Sequence, residues 1–440
     1  MDIVIIGNGI AGITTARHIR KQSDHNITVI SNETDHFFSR TALMYIYMGH
    51  MRYRDTKPYE DWFWDKNRIT LKRGWVENID TDTKTLHFAG GDTLHYHKLV
   101  LATGSAPNKY GWPGQDLDGV QGFYSLPDLQ NMEKYTANIS RAVIVGGGLI
   151  GIEVAEMLHS RHIPVTFLVR EESFWNRVLP AEESRMINRH IRENHIDLRL
   201  NTELKEIKPD KNGRVKSIIT QQGEEIACGF VALTAGVHPN IDFLKSTQIE
   251  TDRGILANEY LETNLPDIYA AGDCVQLRNP PAGRKPIEAV WYVGRMQGET
   301  LAKTICGQPT EYDPGIWFNS AKFFDIEYQI YGRAPVQYDE TVQALYWEHP
   351  EGRKAIRLIY SPKSRSILGF HLMGVRYRHQ VCNRWIKEGV HIETVLQNLG
   401  MANFDPEFFD QHESALVEMY NQQHAGRNIR LKKKRGLFQF

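Results

Sequence analysis

Two stretches of this chain place glycines where a backbone can close on a diphosphate. The first is Gly7-Asn8-Gly9-Ile10-Ala11-Gly12 and the second is Gly146-Gly147-Gly148-Leu149-Ile150-Gly151. Each follows a short apolar run, residues 3–6 or 142–145, and each opens a helical stretch, to about Lys21 or Arg161. In a G-x-G-x-x-G turn the first glycine permits the tight bend and the second lets backbone approach a pyrophosphate. The third lets helix and strand pack closely. The helix start offers unpaired N–H groups and a partial positive charge to the same anion. A second strand follows in each copy and leads to residues placed to read a ribose. After residues 27–30 stands Glu33, about 20 residues beyond Gly12, where a carboxylate takes adenosine ribose hydroxyls. After residues 165–169 stand Arg170 and Glu171. Arg170, the basic residue that ends this strand, offers a planar fork to a 2′-phosphate, whereas Glu171 favours an unphosphorylated ribose. The reading leans to the phosphorylated nucleotide.

These loops need a scaffold, and the chain writes the same one twice. In the first copy a hairpin pattern (residues 86–88, turn Gly90-Gly91-Asp92, residues 93–96) precedes an apolar strand, 99–101, that ends in Ala102-Thr103-Gly104. In the second, residues 215–220, a turn near Gly223 and residues 226–228 precede strand 231–233, which ends in Thr234-Ala235-Gly236. Strand, glycine loop, helix, strand, hairpin and closing strand recur in one order. A single G-x-G-x-x-G is weak evidence, but two in matching contexts predict an α/β chain with two dinucleotide-binding folds.

Bulk properties exclude little else. With 440 residues there is room for two to three domains. Apolar residues make up 41%, charged residues 24%, and net charge is -1, so no global field argues for nucleic acid or a membrane surface. The N-terminus has no basic start and reads as a core strand rather than a leader; no apolar run approaches the roughly 18 residues of a membrane helix. Cysteines at 228, 274, 306 and 382 have neither disulfide nor zinc spacing. The histidines lack ligand spacing, so no metal is expected. A cytoplasmic location is the default.

The motifs resemble those of the two-dinucleotide-binding-domain flavoproteins, the pyridine nucleotide-disulfide oxidoreductase superfamily. Residues 101–107, Leu-Ala-Thr-Gly-Ser-Ala-Pro, are similar to its A-T-G motif, and residues 263–273, ending Ala271-Gly272-Asp273, to its second FAD motif. The resemblance implies FAD on the first fold, with Asp273 bonding the ribityl chain, and NAD(P)H on the second. It implies a discontinuous FAD domain (1–110 and 237–308), an NAD(P)H domain (111–236), a C-terminal α+β interface domain (309–403), then a helix and basic tail (404–440). Cofactor contacts carried over are Gly7, Gly9, Ile10, Ala11, Gly12, Glu33, Val76, Ala102, Thr103, Gly104, Gly272, Asp273 and Ala289 for FAD. For the nucleotide they are Gly146, Gly148, Leu149, Ile150, Gly151, Arg170, Glu171 and Gly236.

Within the superfamily, Phe37-Phe38-Ser39-Arg40-Thr41-Ala42-Leu43 is similar to a tyrosine-x-arginine stretch of ferredoxin, rubredoxin and nitrite reductase flavoproteins, which sets Arg40 against FAD. Thr41 stands nearest to where coenzyme A disulfide reductases and NADH peroxidases carry a redox cysteine. Trp291 is similar to a tryptophan beside the flavin, and Glu153 to a residue that holds the nicotinamide carboxamide; these two are the candidate catalytic residues. Tyr45 replaces the lysine of ferredoxin reductases, and Asn319-Ser320-Ala321-Lys322-Phe323-Phe324 matches no reductase of known acceptor.

The implied activity is hydride transfer from NAD(P)H to flavin N5, then electron transfer to a separate acceptor such as a small ferredoxin- or rubredoxin-type iron–sulfur protein. Hydride transfer is cofactor chemistry that the protein positions and shields. Two alternatives stay open: an NAD(P)H oxidase or quinone reductase, and a redox-sensing interaction protein of apoptosis-inducing-factor type. A homodimer also stays open. The clusters Trp62-Phe63-Trp64 and Phe323-Phe324 read as packing. The tail from Arg427, with Arg430, Lys432, Lys433, Lys434 and Arg435, reads by default as solvated.

Overall fold

The computed structural model describes residues 1–424 and 426–432. Its first sheet has five parallel strands in the order Ile268–Ala270, Lys98–Leu101, Asp2–Ile6, Asn26–Ser31, Ile69–Arg73. Ile3, Val4 and Ile5 are buried, as expected for a parallel strand covered on both faces. The outermost member, Ile268–Ala270, arrives from far along the chain and pairs with the strand that leads into Ala102-Thr103-Gly104. The predicted hairpin forms with register Thr85↔His95 and gains a third strand, Val76–Asp80.

The second repeat builds a sheet in the order Asp197–Arg199, Val165–Leu168, Ala142–Val145, Phe230–Leu233, Val120–Gln121. Its antiparallel meander comprises Leu204–Pro209, Val215–Thr220 and Glu225–Ala227. Where the chain leaves the first fold, Ser105–Pro107, it pairs antiparallel with Val237–Pro239, where it returns. Exit and re-entry thus share one short ladder, as a discontinuous domain requires. The fold is therefore two nested Rossmann-like α/β domains with a C-terminal α+β domain.

By contact density the chain forms two compact units. One contains Met1–Gly146, Met157–Thr166 and Glu203–Pro314; the other contains Gly147–Glu156, Phe167–Thr202 and Gly315–Phe440. The second unit carries a five-stranded antiparallel sheet, ordered Phe318–Phe323, Ile326–Gly332, Ile367–Met373, Ala355–Tyr360, Gln343–Glu348. Helices His379–Lys387, Ile392–Asn398 and Glu413–Gln423 add Cys382, Trp385, Leu396, Leu416 and Tyr420 to one apolar core with that sheet. The division at 404 therefore does not mark a separate element: the last helix completes this core.

The reading of a solvated tail also fails for its first residues. Ile429 is buried, its N–H and C=O are both bonded by the Asn421 side chain, and the Lys432 N–H donates to Gln397 O. Apolar burial and paired backbone hold this segment. Lys433, Lys434 and Arg435 lie outside the described residues.

Candidate cofactor and nucleotide sites

The glycines of the first loop are required one by one, for different reasons. Gly7 has φ +116°, and a Cβ there would lie 2.0 Å from Ala102 O. A Cβ on Gly12 would lie 2.0 Å from Gly7 O, so helix and loop touch backbone to backbone. Gly9 differs: a Cβ there would meet nothing within 4 Å. It is the N-cap of helix Ile10–Gln22, which has no side-chain cap and no acidic residue in its first turn. The end of this helix keeps its N–H groups and positive potential for an anion arriving over Gly9.

Around this loop the first unit assembles a half-buried polar cluster. Arg40 donates from both terminal nitrogens to the two Glu33 oxygens, at 2.9 and 2.6 Å, and Glu33 also accepts the Leu126 N–H at 2.8 Å. The reading assigned Glu33 and Arg40 separately; in the structure they form one bidentate pair. The guanidinium lies 4.5 Å over the Tyr124 ring and donates to Tyr124 O. Asp273 accepts from Ser105 Oγ at 3.1 Å and from Tyr124 OH at 3.5 Å. Burial pushes the Asp273 carboxyl upward, and burial together with the Asp273 charge pushes the Tyr124 phenol up to about 12.

Small residues bring the remaining pieces together. Gly272 has φ +87° and packs on Ala11, and its N–H donates to Gln297 on helix Trp291–Ile305. A Cβ on Gly298 of that helix would lie 2.7 Å from Ala11 O. Gly272-Asp273 and the helix led by half-buried Trp291 are thereby set against the first loop. Ala102 is buried, Thr103 Oγ1 donates to Asn240 O, and Gly104 (φ +70°) faces the Tyr124 hydroxyl. Val76 is buried opposite Phe88, and Ala289 is exposed.

The second loop shares the plan and differs in detail. Gly146 has φ +115°, and a Cβ there would lie 2.7 Å from the Thr234 carbonyl carbon. Gly148, the counterpart of Gly9, is open. Gly147, which the motif leaves unspecified, is also constrained: a Cβ there would lie 2.8 Å from Val169 Cγ1. Leu149 and Ile150 begin helix Leu149–Ser160, Gly151 is buried within it, and Gly236 (φ +90°) bonds Asn108 beside the exit ladder.

On that helix Glu153 is half-buried, and burial, then the charge of Glu156, push its carboxyl up to about 7. Glu156 is paired with Lys322 Nζ at 2.9 Å. After strand Val165–Leu168 Arg170 is not the only cation. Glu171 accepts from Arg170 Nε at 2.9 Å and lies 3.4 Å from Arg177 Nε. Both guanidiniums are mostly exposed.

Sequence reading missed Tyr124, Ser105, Lys322 and Arg177. Tyr124 has one local signal: it precedes Ser125, which with Asp128 forms a capping box at helix Leu126–Thr136. That cap fixes the turn that presents Tyr124 and the Leu126 N–H. The aromatic runs do pack. Trp64 is buried with Tyr59 and Phe63, although Trp62 is exposed; Phe323 is buried against Phe174 and Tyr328. The four cysteines are free, and burial raises each thiol, Cys228 to about 12. Among the described residues no group of three or more His, Cys, Asp or Glu side chains is placed to hold a metal ion.

Two glycine-loop α/β folds, joined by an exit ladder and followed by an α+β domain, define a two-dinucleotide-fold protein. The pyridine nucleotide-disulphide oxidoreductase model matches residues 1–298, and the chain belongs to that family. It is 29% identical over 350 residues to the assimilatory nitrate reductase electron transfer subunit of Bacillus subtilis, covering 78% of this chain and 44% of that one. It is 31% identical over 323 residues to the rubredoxin-NAD(+) reductase of Acinetobacter baylyi, covering 70% of this chain and 79% of that one. The chain spans less than half the length of the B. subtilis subunit and 40% of a B. subtilis nitrite reductase [NAD(P)H] that it also matches. Among solved structures, a NAD-dependent persulfide reductase from A. fulgidus shares the fold, with TM-score 0.84 and 24% identity over 96% of this chain and 84% of that one.

Proposed function

We propose that this chain is an FAD-dependent NAD(P)H oxidoreductase that passes electrons to a separate acceptor, a small iron–sulfur protein of ferredoxin or rubredoxin type. The observation that carries the reading is the pair of glycine loops. In each a crowded first glycine, Gly7 or Gly146, precedes an open one, Gly9 or Gly148, and the first loop has half-buried Asp273 nearby. FAD, when bound, supplies the chemistry of accepting hydride and releasing electrons.

The residues do the rest. The Gly7–Gly12 backbone and the start of helix Ile10–Gln22 hold the diphosphate, Glu33 and Arg40 the adenosine side, and Asp273 the ribityl hydroxyls. Trp291 and the residues at the start of its helix exclude water from the ring. Glu153 accepts from the nicotinamide carboxamide. The domain assignment inferred above (1–110 with 237–308 for FAD, 111–236 for nucleotide, 309–403 as interface) belongs to this reading. So does a cytoplasmic location; no helix among the described residues is long and apolar enough to cross a membrane.

The structure supports the lean to NADPH. Glu171, whose charge would repel a 2′-phosphate, is paired with Arg170 and lies 3.4 Å from Arg177, so its charge is offset where two guanidiniums stand ready for the phosphate. An oxidase is the second reading, favoured by 28% identity over 338 residues to an NADH oxidase of Methanocaldococcus jannaschii. The test is anaerobic reduction by NADH and NADPH followed by rates with a ferredoxin, a rubredoxin, quinones and oxygen. Fast turnover with an iron–sulfur carrier supports the reading, and turnover with oxygen alone replaces it by the second.

A further inference from the structure

The stretch from Asn319 to Phe324, which no motif explained, forms the strand Phe318–Phe323 and its turn. Within the second unit this strand meets two elements of the proposed nucleotide site. Phe323 is fully buried, with ring centroids 6.1 Å from Phe174 and 5.8 Å from Trp175, in the loop that separates Glu171 from Arg177. Its neighbour Lys322, whose side chain leaves the other face of the strand, reaches Glu156 Oε1 at 2.9 Å. Glu156 is 8% exposed. Glu153 lies three residues earlier on the same helix, so the two carboxylates are surface neighbours, about 5–6 Å apart at Cβ. Among the described residues Glu153 forms no ion pair.

We propose that Lys322 is a positioning residue for the nicotinamide nucleotide: Glu156 anchors its ammonium, and Glu153 is thereby left as an unmasked acceptor for the carboxamide. The inference rests on the nucleotide reading above. The ammonium sits on a flexible four-carbon stem and is free to turn to a neighbouring carboxylate once Glu156 is gone. Paired with Glu153 it would occupy the lone pairs that the amide N–H needs. Glu156 is therefore a competing anchor, and each half of the pair matters only while the other is present. Losing Glu156 releases Lys322 onto Glu153. Losing Lys322 leaves a buried, uncompensated carboxylate beside Glu153. Losing both leaves Glu153 with neither neighbour.

The test uses the FAD-loaded protein and calorimetric Kd values for NADP+, NAD+ and ADP-ribose, the last lacking the nicotinamide. E156Q is expected to weaken the nicotinamide nucleotides about tenfold, the scale of one charge-assisted hydrogen bond, and ADP-ribose less than about twofold. E156Q/K322M is expected to return to within about twofold of wild type, and the partly exposed K322R to bind as wild type. The proposal is overturned if E156Q leaves the nicotinamide nucleotides unchanged, if it weakens ADP-ribose equally, or if the double variant is as weak as the single. If E156Q does not fold, K322M read against K322R decides: K322M, which leaves Glu156 uncompensated beside Glu153, is expected to weaken the nicotinamide nucleotides and not ADP-ribose, and binding equal to that of K322R overturns the proposal. Wild-type protein that binds none of the three overturns the nucleotide reading and this assignment with it, an outcome distinct from failure of the variants alone.

Discussion

The two glycine loops are built to one plan, yet the chemistry at their far ends differs. At the first, Glu33, Arg40, Tyr124 and Asp273 are half-buried and bonded to one another. At the second, Arg170 and Arg177 have side-chain exposures of 56% and 72% around a half-buried Glu171. A closed, internally satisfied end suits a group that stays. An open end lined by two guanidiniums suits a nucleotide that comes and goes, because exchange needs access and a phosphate needs attraction more than enclosure. On the function proposed above, the same backbone device serves a resident cofactor and a substrate, and the difference lies in what the flanking residues bury.

The sharpest way to break this comparison is at the crowded glycines. Gly7→Val is expected to abolish folding of the first domain, since a side chain there collides with Ala102 O on a left-handed backbone. Gly9→Val enters open space, so it is expected to keep the circular dichroism of wild type while losing most bound FAD. Flavin content and melting curves of the two variants check this. If both variants retain flavin, the loop does not hold the cofactor.

Next in size are the buried ion pairs. Arg357 donates to Glu183 from two nitrogens, both at 2.7 Å, and His371 Nδ1 lies 3.0 Å away. Burial alone would raise the Glu183 carboxyl, but the bonds and charges of His371 and Arg357 outweigh it and hold it at about 2. Glu183→Ala is expected to cost about 3 kcal/mol by leaving the buried Arg357 with only the part-exposed Glu182 as its carboxylate partner. A carboxyl lowered in the folded state stabilises above its unfolded value. Roughly 3 kcal/mol should therefore be lost as pH falls from about 4.5 toward 2, as urea titrations at several pH values will show.

Glu153 shifts the opposite way, and so should its pH dependence. Its carboxyl is raised from 4.5 to about 7, so its contribution is full below 4.5 and fades as pH rises through 7. Glu153→Gln is expected to flatten that decline while weakening nicotinamide binding; an unchanged stability profile counts against the buried carboxyl.

These contrasts also mark how far the sequence could be read. Both glycine loops, the strands flanking them and the two hairpins were legible because each is local: a turn, a helix start and a period-two run lie within a few dozen residues; the third strand of each meander, Val76–Asp80 or Leu204–Pro209, was not. Arg357 and Glu183 are separated by 174 positions, and nothing near either announces the other. Tyr124 and Lys322 were missed for the same reason, their partners being set by tertiary packing. Arg177 lay only a few residues from Glu171, but its direction depends on the loop around Trp175, which has φ +53°. The final helix, which the sequence groups with the tail, joins the core of the preceding sheet because the residues that receive Leu416, Val417 and Tyr420 lie far from it along the chain.

A smaller effect tests the open end. Arg170→Ala and Arg177→Ala are each expected to lower kcat/KM for NADPH by roughly 1.5–3 kcal/mol in transition-state free energy while NADH changes little. An unchanged NADPH to NADH ratio in both would make these guanidiniums surface charges only. Smallest of all should be Cys228→Ser, Cys274→Ser, Cys306→Ser and Cys382→Ser, each leaving flavin reduction within about tenfold of wild type, roughly 1.4 kcal/mol. A larger loss in a folded variant would bring a thiol into the chemistry.

The central claim is that the closed end holds FAD and the open end delivers hydride to it. The most direct measurement is anaerobic stopped-flow absorbance of the purified yellow protein mixed with NADPH or NADH, with the released flavin identified by acid extraction and chromatography. The account predicts noncovalent FAD, bleached by either nucleotide and faster by NADPH. FMN, no flavin, or FAD that neither nucleotide reduces would contradict it.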